Sequence, residues 1–339
     1  METETRRHGC GDSAVTGAGT RAATGWRPVG WVGLTIGTAS VAAVLAGGLA
    51  ATALPVLLGA TVTRAAGDLA AVACVGLALV ATLLPLGANR RAPELPDVLR
   101  GVDRATVAVA GAWLVLVLLG VGFRAAEAYG RPVGALGATE LRTFAFTLTA
   151  GRGLLLTAGC AATVLVCAAM RTRDPDRVPQ RVVLVAALLG SLAPAVTGHA
   201  GTAADHQLAV VTVALHVAAA ALWVGGLGAV VVVAGPRRRL LDGVLPRFST
   251  LAGGCIACVV VSGVLNAVLR VSSVGALVTT GYGWLVLAKS VCVVALGGLG
   301  WLARRRLAAR RLPVLRWAGI EVAVMAVTIG LAAALTQTA

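Results

Sequence analysis

Apolar runs of about 20 residues recur along the whole chain, and this pattern constrains the fold more than any other feature. A run of that length crosses the hydrocarbon core of a bilayer as an α-helix. The runs lack the polar face of a soluble helix and the alternating ten-residue strands of a membrane β-barrel. Since 58% of the residues are hydrophobic and only 13% are charged, the sequence predicts an all-α polytopic membrane protein.

We predict nine spans joined by short loops, with neither an internal repeat nor a soluble domain. Their ranges are 30–54, 68–88, 105–123, 153–170, 182–198, 207–235, 249–269, 284–303 and 316–336. Gly and Ala are abundant within them, which suits close approach of helices in lipid. The predicted organisation is a disordered cytoplasmic tail at 1–28, an N-terminal membrane region of four spans at 29–181, and a second membrane region of five spans at 182–339.

The net charge of +15 does not indicate nucleic-acid binding, because the basic residues lie in short loops on alternating sides of the spans. With the N-terminus inside, 22 arginines fall in inside segments and six in outside segments. Cytoplasmic loops of membrane proteins carry such an excess. The charge pattern therefore predicts a membrane protein with a cytoplasmic N-terminus and a C-terminus outside. In the longest outside loop, 124–152, we predict an interfacial amphipathic segment that includes Phe144 and Phe146.

The motifs of soluble enzymes are missing. The sequence contains no Gly-x-x-x-x-Gly-Lys-Ser/Thr loop, so it does not hydrolyse nucleotides by that route. No Ser-His-Asp or Cys-His set lies in a soluble region. We therefore expect that the protein is not an enzyme, and that its chemistry takes place inside or at the mouth of a helix bundle.

Three of the four histidines lie within nineteen positions, at 198–216. His199 ends the fifth span and His206 opens the sixth, with Asp205 between them on the outside. His216 lies about ten residues into the sixth span, which is ~15 Å at ~1.5 Å per residue and hence near the midplane. Imidazole and carboxylate are ligands for transition metals, so these four residues form the candidate metal site. Two simpler interpretations stay open: solvated histidines at the helix ends, and a His216 that hydrogen-bonds a Ser or Thr of a neighbouring span.

Other polar residues in the spans are candidate pathway or structural positions. Trp223 follows His216 by two turns and shares its face, and Gly225 and Gly226 would admit a close neighbouring helix. Ionisable side chains within a membrane span are costly and raise a functional hypothesis, although such a lysine also snorkels to the interface. The residues of this kind are Lys289 in the eighth span and Glu321 in the ninth, with Asn266 and Ser262 as weaker candidates in the seventh.

Six of the seven cysteines fall in apolar spans and do not indicate disulfides. Cys255 and Cys258 form a Cys-x-x-Cys within a helical pattern, where both thiols share one face. The span limits place this pair near the cytoplasmic side. The two thiols are weak Cu(I) candidates, and packing as small apolar side chains is the alternative.

Several of these stretches resemble the copper resistance protein D family. They are TGHA at 197–200, LHVAAAALWVGGL at 215–227, FS at 248–249, SGVLNA at 262–267, TGYGWLVLAK at 280–289 and AALTQTA at 333–339. The likeness is strongest over 182–339, and the first four spans fit only by hydropathy and composition. His199, His216 and Trp223 match the family's helix motifs, and Tyr282, Lys289 and Glu321 match its remaining polar positions.

The resemblance implies an inner-membrane protein that moves copper ions and works with an extracytoplasmic copper-binding protein of the CopC type. No Met-rich outer loop is present, so capture by His and Asp is expected. Two alternatives remain. One is a b-type haem electron-transfer protein, which would need paired histidines on facing helices. The other is a membrane factor that delivers copper for oxidase assembly without transporting it.

Overall fold

A computed structural model of the protein describes residues 27–45, 54–196 and 206–270, together with the isolated helical residues 287, 290, 291, 294 and 298. The α-helices of the three continuous ranges are α1 (Arg27–Leu45), α2 (Leu54–Leu83), α3 (Leu95–Tyr129), α4 (Ala138–Thr147), α5 (Thr149–Arg173), α6 (Gln180–Val196), α7 (His206–Ala229) and α8 (Arg238–Arg270). A π-helical turn, Val230–Ala234, extends α7. The five isolated residues fall within the predicted eighth span, and the predicted ninth span lies outside the described residues.

The described part of the chain is helical and contains no strand. Five segments are long and apolar enough to cross a membrane: Leu54–Leu83, Leu95–Tyr129, Thr149–Arg173, Val210–Ala234 and Arg238–Asn266. A shorter apolar helix covers Gln180–Pro194. The protein is therefore an all-α, multi-pass membrane protein, as the sequence predicts.

Three helices extend well beyond the predicted spans. The segment 55–67, expected to be an outside loop, belongs to α2, while α3 begins ten residues before and α8 eleven residues before the predicted limits. In two of these helices, α2 and α3, charged residues pair at helical spacing, which favours continuation of the helix. In α2, Arg64 Nε lies 2.9 Å from Asp68 Oδ2, and near the end of α3, Arg124 Nη1 lies 2.7 Å from Glu127 Oε2.

The helix α2 lies at the centre of the described bundle, where it packs against α1, α3, α6, α7 and α8. Its tightest crossing is with α7. A Cβ atom added at Gly76 would lie 2.0 Å from the carbonyl oxygen of Gly225, and one added at Gly225 would lie 2.2 Å from that of Val72. The two backbones are thus in direct contact. This confirms the expectation that the glycine pair of α7 admits a neighbouring helix.

The predicted outer loop contains a short helix, α4. Its Phe144 is buried, whereas Phe146 is exposed. At its N-terminus, Glu140 Oε2 accepts a hydrogen bond from the backbone N–H of Gly137 at 2.8 Å, and Oε1 lies 2.8 Å from Arg131 Nη1. The bond from Gly137, assisted by the Arg131 charge, holds the pKa of Glu140 below its ordinary value.

The arginine-rich connections meet at one end of the bundle. Arg247 Nη1 donates to the carbonyl oxygen of Leu86 at 3.3 Å, and Asn89 Nδ2 donates to that of Leu240 at 3.2 Å. These bonds tie the α2–α3 connection to the start of α8. The exposed arginines in these connections and the adjoining helix ends are Arg90, Arg91, Arg100, Arg104, Arg173, Arg177, Arg181, Arg237, Arg238, Arg239 and Arg247.

A buried ion pair joins α3 to α5 at the same end. Arg171 Nε lies 3.1 Å from Asp103 Oδ1, and the two side chains are only 8% and 2% exposed. Arg171 Nη1 also donates to the carbonyl oxygens of Pro175 and Val178 in the α5–α6 connection. One guanidinium therefore fixes α3, the end of α5 and the following turn. The sequence analysis did not identify this pair, because Asp103 and Arg171 are 68 positions apart and neither stands out locally.

Candidate metal site

His216 faces α8, and its hydrogen bonds determine which ring nitrogen carries the proton. Its Nδ1 lies 3.0 Å from Ser262 Oγ. The hydroxyl of Ser262 in turn donates to the carbonyl oxygen of Cys258 at 2.6 Å. A serine has one proton to donate. With that proton directed to Cys258, Ser262 Oγ accepts from His216 Nδ1–H, and a neutral ring in this tautomer carries its lone pair on Nε2, the form that binds a metal ion.

This arrangement is typical of metal-binding histidines, in which the nitrogen that does not bind the metal donates to a neighbouring oxygen. The bond orients the ring and fixes its tautomer. The ring also lies against Gly263, where an added Cβ would be 3.5 Å from His216 Cε1. The sequence-based alternative that His216 bonds a Ser or Thr of the next span is therefore confirmed, and it is compatible with a metal-binding role.

A second polar contact lies one turn before His216 on α7. Thr212 Oγ1 lies 3.1 Å from Asn266 Oδ1 and 2.9 Å from the carbonyl oxygen of Leu208, so two acceptors share its single proton. Asn266 thus contacts a neighbouring helix through its side chain. The sequence analysis missed Thr212, although its position four residues before His216 places it on the same helix face.

The two cysteines of the Cys-x-x-Cys motif, Cys255 and Cys258, contact different parts of the bundle. Cys255 is buried in an apolar cluster with Trp223, Phe248 and Val259. Cys258 Sγ instead lies 3.8 Å from the carbonyl oxygen of Leu215 on α7. The two thiols therefore have different surroundings. Cys258 thus lies at the level of Leu215 on α7, whereas Cys255 lies one turn earlier on α8.

Trp223 belongs to the apolar interior. It is 4% exposed and packs in the cluster that α7 forms with α2, α3 and α8. Below it, an added Cβ at Gly226 would lie 2.5 Å from Phe248 Cε2. The indole thus stabilises the lower half of the α7–α8 interface, while Thr212 and His216 supply the polar contacts above it.

The side chains of most other predicted site residues are not among those that the structure describes. His206 is the first residue of α7, and its side chain is not among those described. His199, Asp205, Tyr282, Lys289 and Glu321 lie outside the described residues. Within the described ranges, no three His, Cys, Asp or Glu side chains come close enough to hold one metal ion. Nor do these ranges contain paired histidine side chains on facing helices, so they give no support to the haem alternative.

The comparisons with known proteins point to copper in both halves of the chain. Residues 50–206 match the family model "Copper resistance protein D-like, N-terminal domain". Residues 242–335 match the model "Copper resistance protein D". The first match adds a family likeness to spans that had fitted only by hydropathy and composition. The helix α7, with His216, lies between the two matched segments.

A curated relative carries a related name. The copper transport protein CutJ of Bacillus subtilis (strain 168) is 32% identical to this chain over 123 residues. The match covers 34% of this chain and 23% of the relative, so the chain spans about a quarter of that protein. No solved structure matches the chain. On the evidence of the two family models, which together cover most of the sequence, the protein belongs to the copper resistance protein D family and has a copper-related membrane function.

Proposed function

We propose that the protein transports copper ions across the plasma membrane, from the outside to the cytoplasm, and that His216 binds the ion near the middle of the bilayer. The observation that carries the proposal is the hydrogen bond between His216 Nδ1 and Ser262 Oγ. It leaves the ring oriented and in the tautomer that binds a metal, within an apolar bundle. The family membership supports copper as the metal concerned.

The proposed route follows α7 inward. His199, Asp205 and His206 would capture the ion at the outer mouth, and His216 would receive it two to three turns further along. Between these levels, Thr212 and Asn266 supply oxygen atoms at the α7–α8 interface. Glu321 would lie nearer the exit, and Tyr282 and Lys289 would be further polar stations. Hydroxyl and amide oxygens give a desolvated ion intermediate contacts, so it need not move in one step through purely apolar surroundings.

The remaining elements of the proposal concern the setting of the chain. Nine spans would place the arginine-rich end of the bundle in the cytoplasm. The membrane potential then supplies ~2.3 kcal/mol per charge per 100 mV toward that side, which favours the uptake of a cation. We propose no enzymatic step. The outer histidines would receive copper from an extracytoplasmic copper-binding protein of the CopC type.

Copper accumulation in cells tests the role of His216. His216→Ala should abolish the accumulation that the wild-type protein supports, whereas His8→Ala, which removes a histidine of the N-terminal tail, should leave it unchanged. Ser262→Ala removes the acceptor of Nδ1–H and should lower the apparent copper affinity about 10- to 100-fold. Thr163→Ala is a matched control, because Thr163 Oγ1 donates to the backbone of its own helix and is exposed.

The proposal is wrong if His216→Ala and His8→Ala cells accumulate equal amounts of copper at equal protein levels. Reconstituted vesicles separate transport from delivery. Transport requires copper to appear inside sealed vesicles that contain the purified protein. Binding without entry would contradict transport and favour the copper-delivery alternative.

A further inference from the structure

The short helix α4 follows α3 and precedes α5, so it lies at the opposite end of these two helices from the arginine-rich connections. It packs against both of them. Its Phe144 is 1% exposed, whereas Phe146 is 61% exposed. The backbone of α5 lies directly against α4, since a Cβ added at Gly151 would be 2.0 Å from the carbonyl oxygen of Phe144. An exposed phenylalanine is therefore held at a fixed position beside the ends of two spanning helices.

Arg152, near the start of α5, lies at the depth of the lipid headgroups. No charged residue occurs between Arg152 and Arg171, and α5 is long and apolar enough to cross a membrane. The 19 residues from Arg152 to Arg171 measure ~28 Å in an α-helix, at ~1.5 Å per residue. This length is close to the ~30 Å thickness of the hydrocarbon core. Arg152 therefore lies near one boundary of the hydrocarbon, on the side of α4.

The side chain of Arg152 reaches the exposed phenylalanine of α4. Its Nε donates to the carbonyl oxygen of Phe146 at 2.8 Å, at the helix end that carries partial negative charge. An arginine has five N–H donors. Within the described part of the chain, this is the only hydrogen bond of the guanidinium. The donors on Nη1 and Nη2 are therefore available to an anion next to Phe146.

A second cation, Arg142, lies on the same side of α4. It precedes Phe146 by four residues, so the two side chains are neighbours on one face of the helix. Arg142 is exposed, and among the described residues it forms neither an ion pair nor a side-chain hydrogen bond. The two glutamates between positions 124 and 152 are each paired with a different arginine. Two uncompensated positive charges, those of Arg142 and Arg152, therefore flank Phe146.

An exposed apolar stripe continues along α5 from Arg152 toward the middle of the membrane. Leu156 and Val166 on this stripe are each 56% exposed. Between them, Gly159 has nothing within 4 Å of an added Cβ, which leaves a shallow depression in the helix surface. Cations at the headgroup level above an apolar stripe are complementary to a phosphate group above an acyl chain.

We propose that this surface binds an anionic phospholipid, with its phosphate against the guanidinium groups of Arg142 and Arg152. Phe146 lies among the upper parts of the acyl chains, and one chain follows Leu156 and Gly159 along α5. Guanidinium groups bind phosphate oxygens through paired N–H donors. Two positive charges without a carboxylate partner favour a headgroup of net negative charge over a zwitterionic one. The site is separate from α7 and α8, so it does not rest on the proposed copper function.

Native mass spectrometry of the purified, detergent-solubilised full-length protein tests the site. Phosphatidylglycerol is the anionic probe and phosphatidylcholine the zwitterionic one, and the wild-type protein should bind the first more tightly. Arg142→Gln should weaken phosphatidylglycerol binding about fivefold, and the double variant with Arg152→Gln about 30-fold. Because Arg142 forms no side-chain bond among the described residues, its replacement leaves the contacts of α4 intact. Inorganic phosphate at millimolar concentration should not displace the lipid, because it has no acyl chain.

Arg131→Gln is the matched control, because it removes the same charge from the same end of the bundle while its guanidinium is already paired with Glu140. This variant should bind phosphatidylglycerol as the wild-type protein does. Equal weakening by Arg131→Gln and Arg142→Gln would show a general attraction between charges and overturn the proposal. Equal affinity for the two lipids, or displacement by inorganic phosphate, would also overturn it. So would a double variant that keeps its lipid but loses a bound second copy of the chain, since the surface would then be a protein interface.

Discussion

The ion pair between Arg171 and Asp103 gives a sharp prediction about stability. Arg171→Met leaves the Asp103 carboxylate without its cation in a site where the two side chains are 8% and 2% exposed. Removing one member of a buried pair costs about 3–5 kcal/mol. The carbonyl oxygens of Pro175 and Val178 also lose their donor, which adds about 1 kcal/mol each. We therefore expect a loss of roughly 5 kcal/mol, a large part of the total stability of a typical protein.

Substitution of the other member of the pair, Asp103, should destabilise the protein less. Asp103 Oδ2 has no hydrogen-bond partner among the described residues, so this carboxylate receives only the single bond from Arg171. Asp103→Leu removes a poorly solvated charge, while the guanidinium keeps its two carbonyl acceptors. We expect a loss of about 3 kcal/mol, less than that of Arg171→Met. An equal or larger loss would contradict the view that Arg171 organises the α5–α6 connection.

An exposed ion pair on the same helix provides the control. Arg100 contacts Asp97 in α3, with 58% and 75% of the two side chains exposed, and Arg100→Met should cost less than about 1 kcal/mol. The assay is denaturant unfolding in detergent micelles, monitored by the loss of helical circular dichroism. If Arg171→Met and Arg100→Met shift the unfolding midpoint equally, the burial-based reasoning is wrong.

Three further experiments test other contacts. Gly225→Ala places a methyl group against the backbone of α2 and should destabilise the protein by about 1–3 kcal/mol, whereas Gly228→Ala, with nothing within 4 Å of its Cβ, should be close to neutral in the same unfolding assay. Because the folded-state pKa of Glu140 is lowered, its contribution to the stability of α4 is present above the ordinary glutamate pKa and lost as the pH falls through the lowered value. Amide exchange in α4 should therefore accelerate at acid pH in the parent and show no such dependence in Glu140→Gln. A double-mutant cycle of Thr212→Val and Asn266→Ala should give a coupling of about 0.6 kcal/mol, typical of hydrogen bonds between membrane helices; no coupling would show that this contact is not formed.

The sequence determined the helical class because the bilayer leaves few alternatives to an α-helix for an apolar run of that length. It also singled out His216 and a possible hydrogen bond from it to a Ser or Thr of a neighbouring span, since polar residues inside spans are rare. The residues at which the helices begin and end were predicted less accurately. Hydropathy detects the hydrocarbon boundary, while a helix continues past it wherever charges pair along one face, as Arg64 and Asp68 do.

Contacts between helices were harder to predict, for a physical reason. In water, the face of a helix that meets the core differs from the exposed face in polarity, but lipid is as apolar as a protein interior. The apolar residues of α7 therefore do not indicate which neighbour each face contacts. The glycines and polar residues of α7 do indicate its neighbours. Gly225 packs against α2, where only the absence of a side chain allows the two backbones to meet. His216 packs against α8, where its ring hydrogen-bonds Ser262. Small residues thus indicate where α7 is held rigidly against the N-terminal region. Polar residues indicate the interface with α8, which is held by side-chain hydrogen bonds instead of backbone contact. Under the proposed function, an ion would exchange ligands at this interface without separating close-packed backbones.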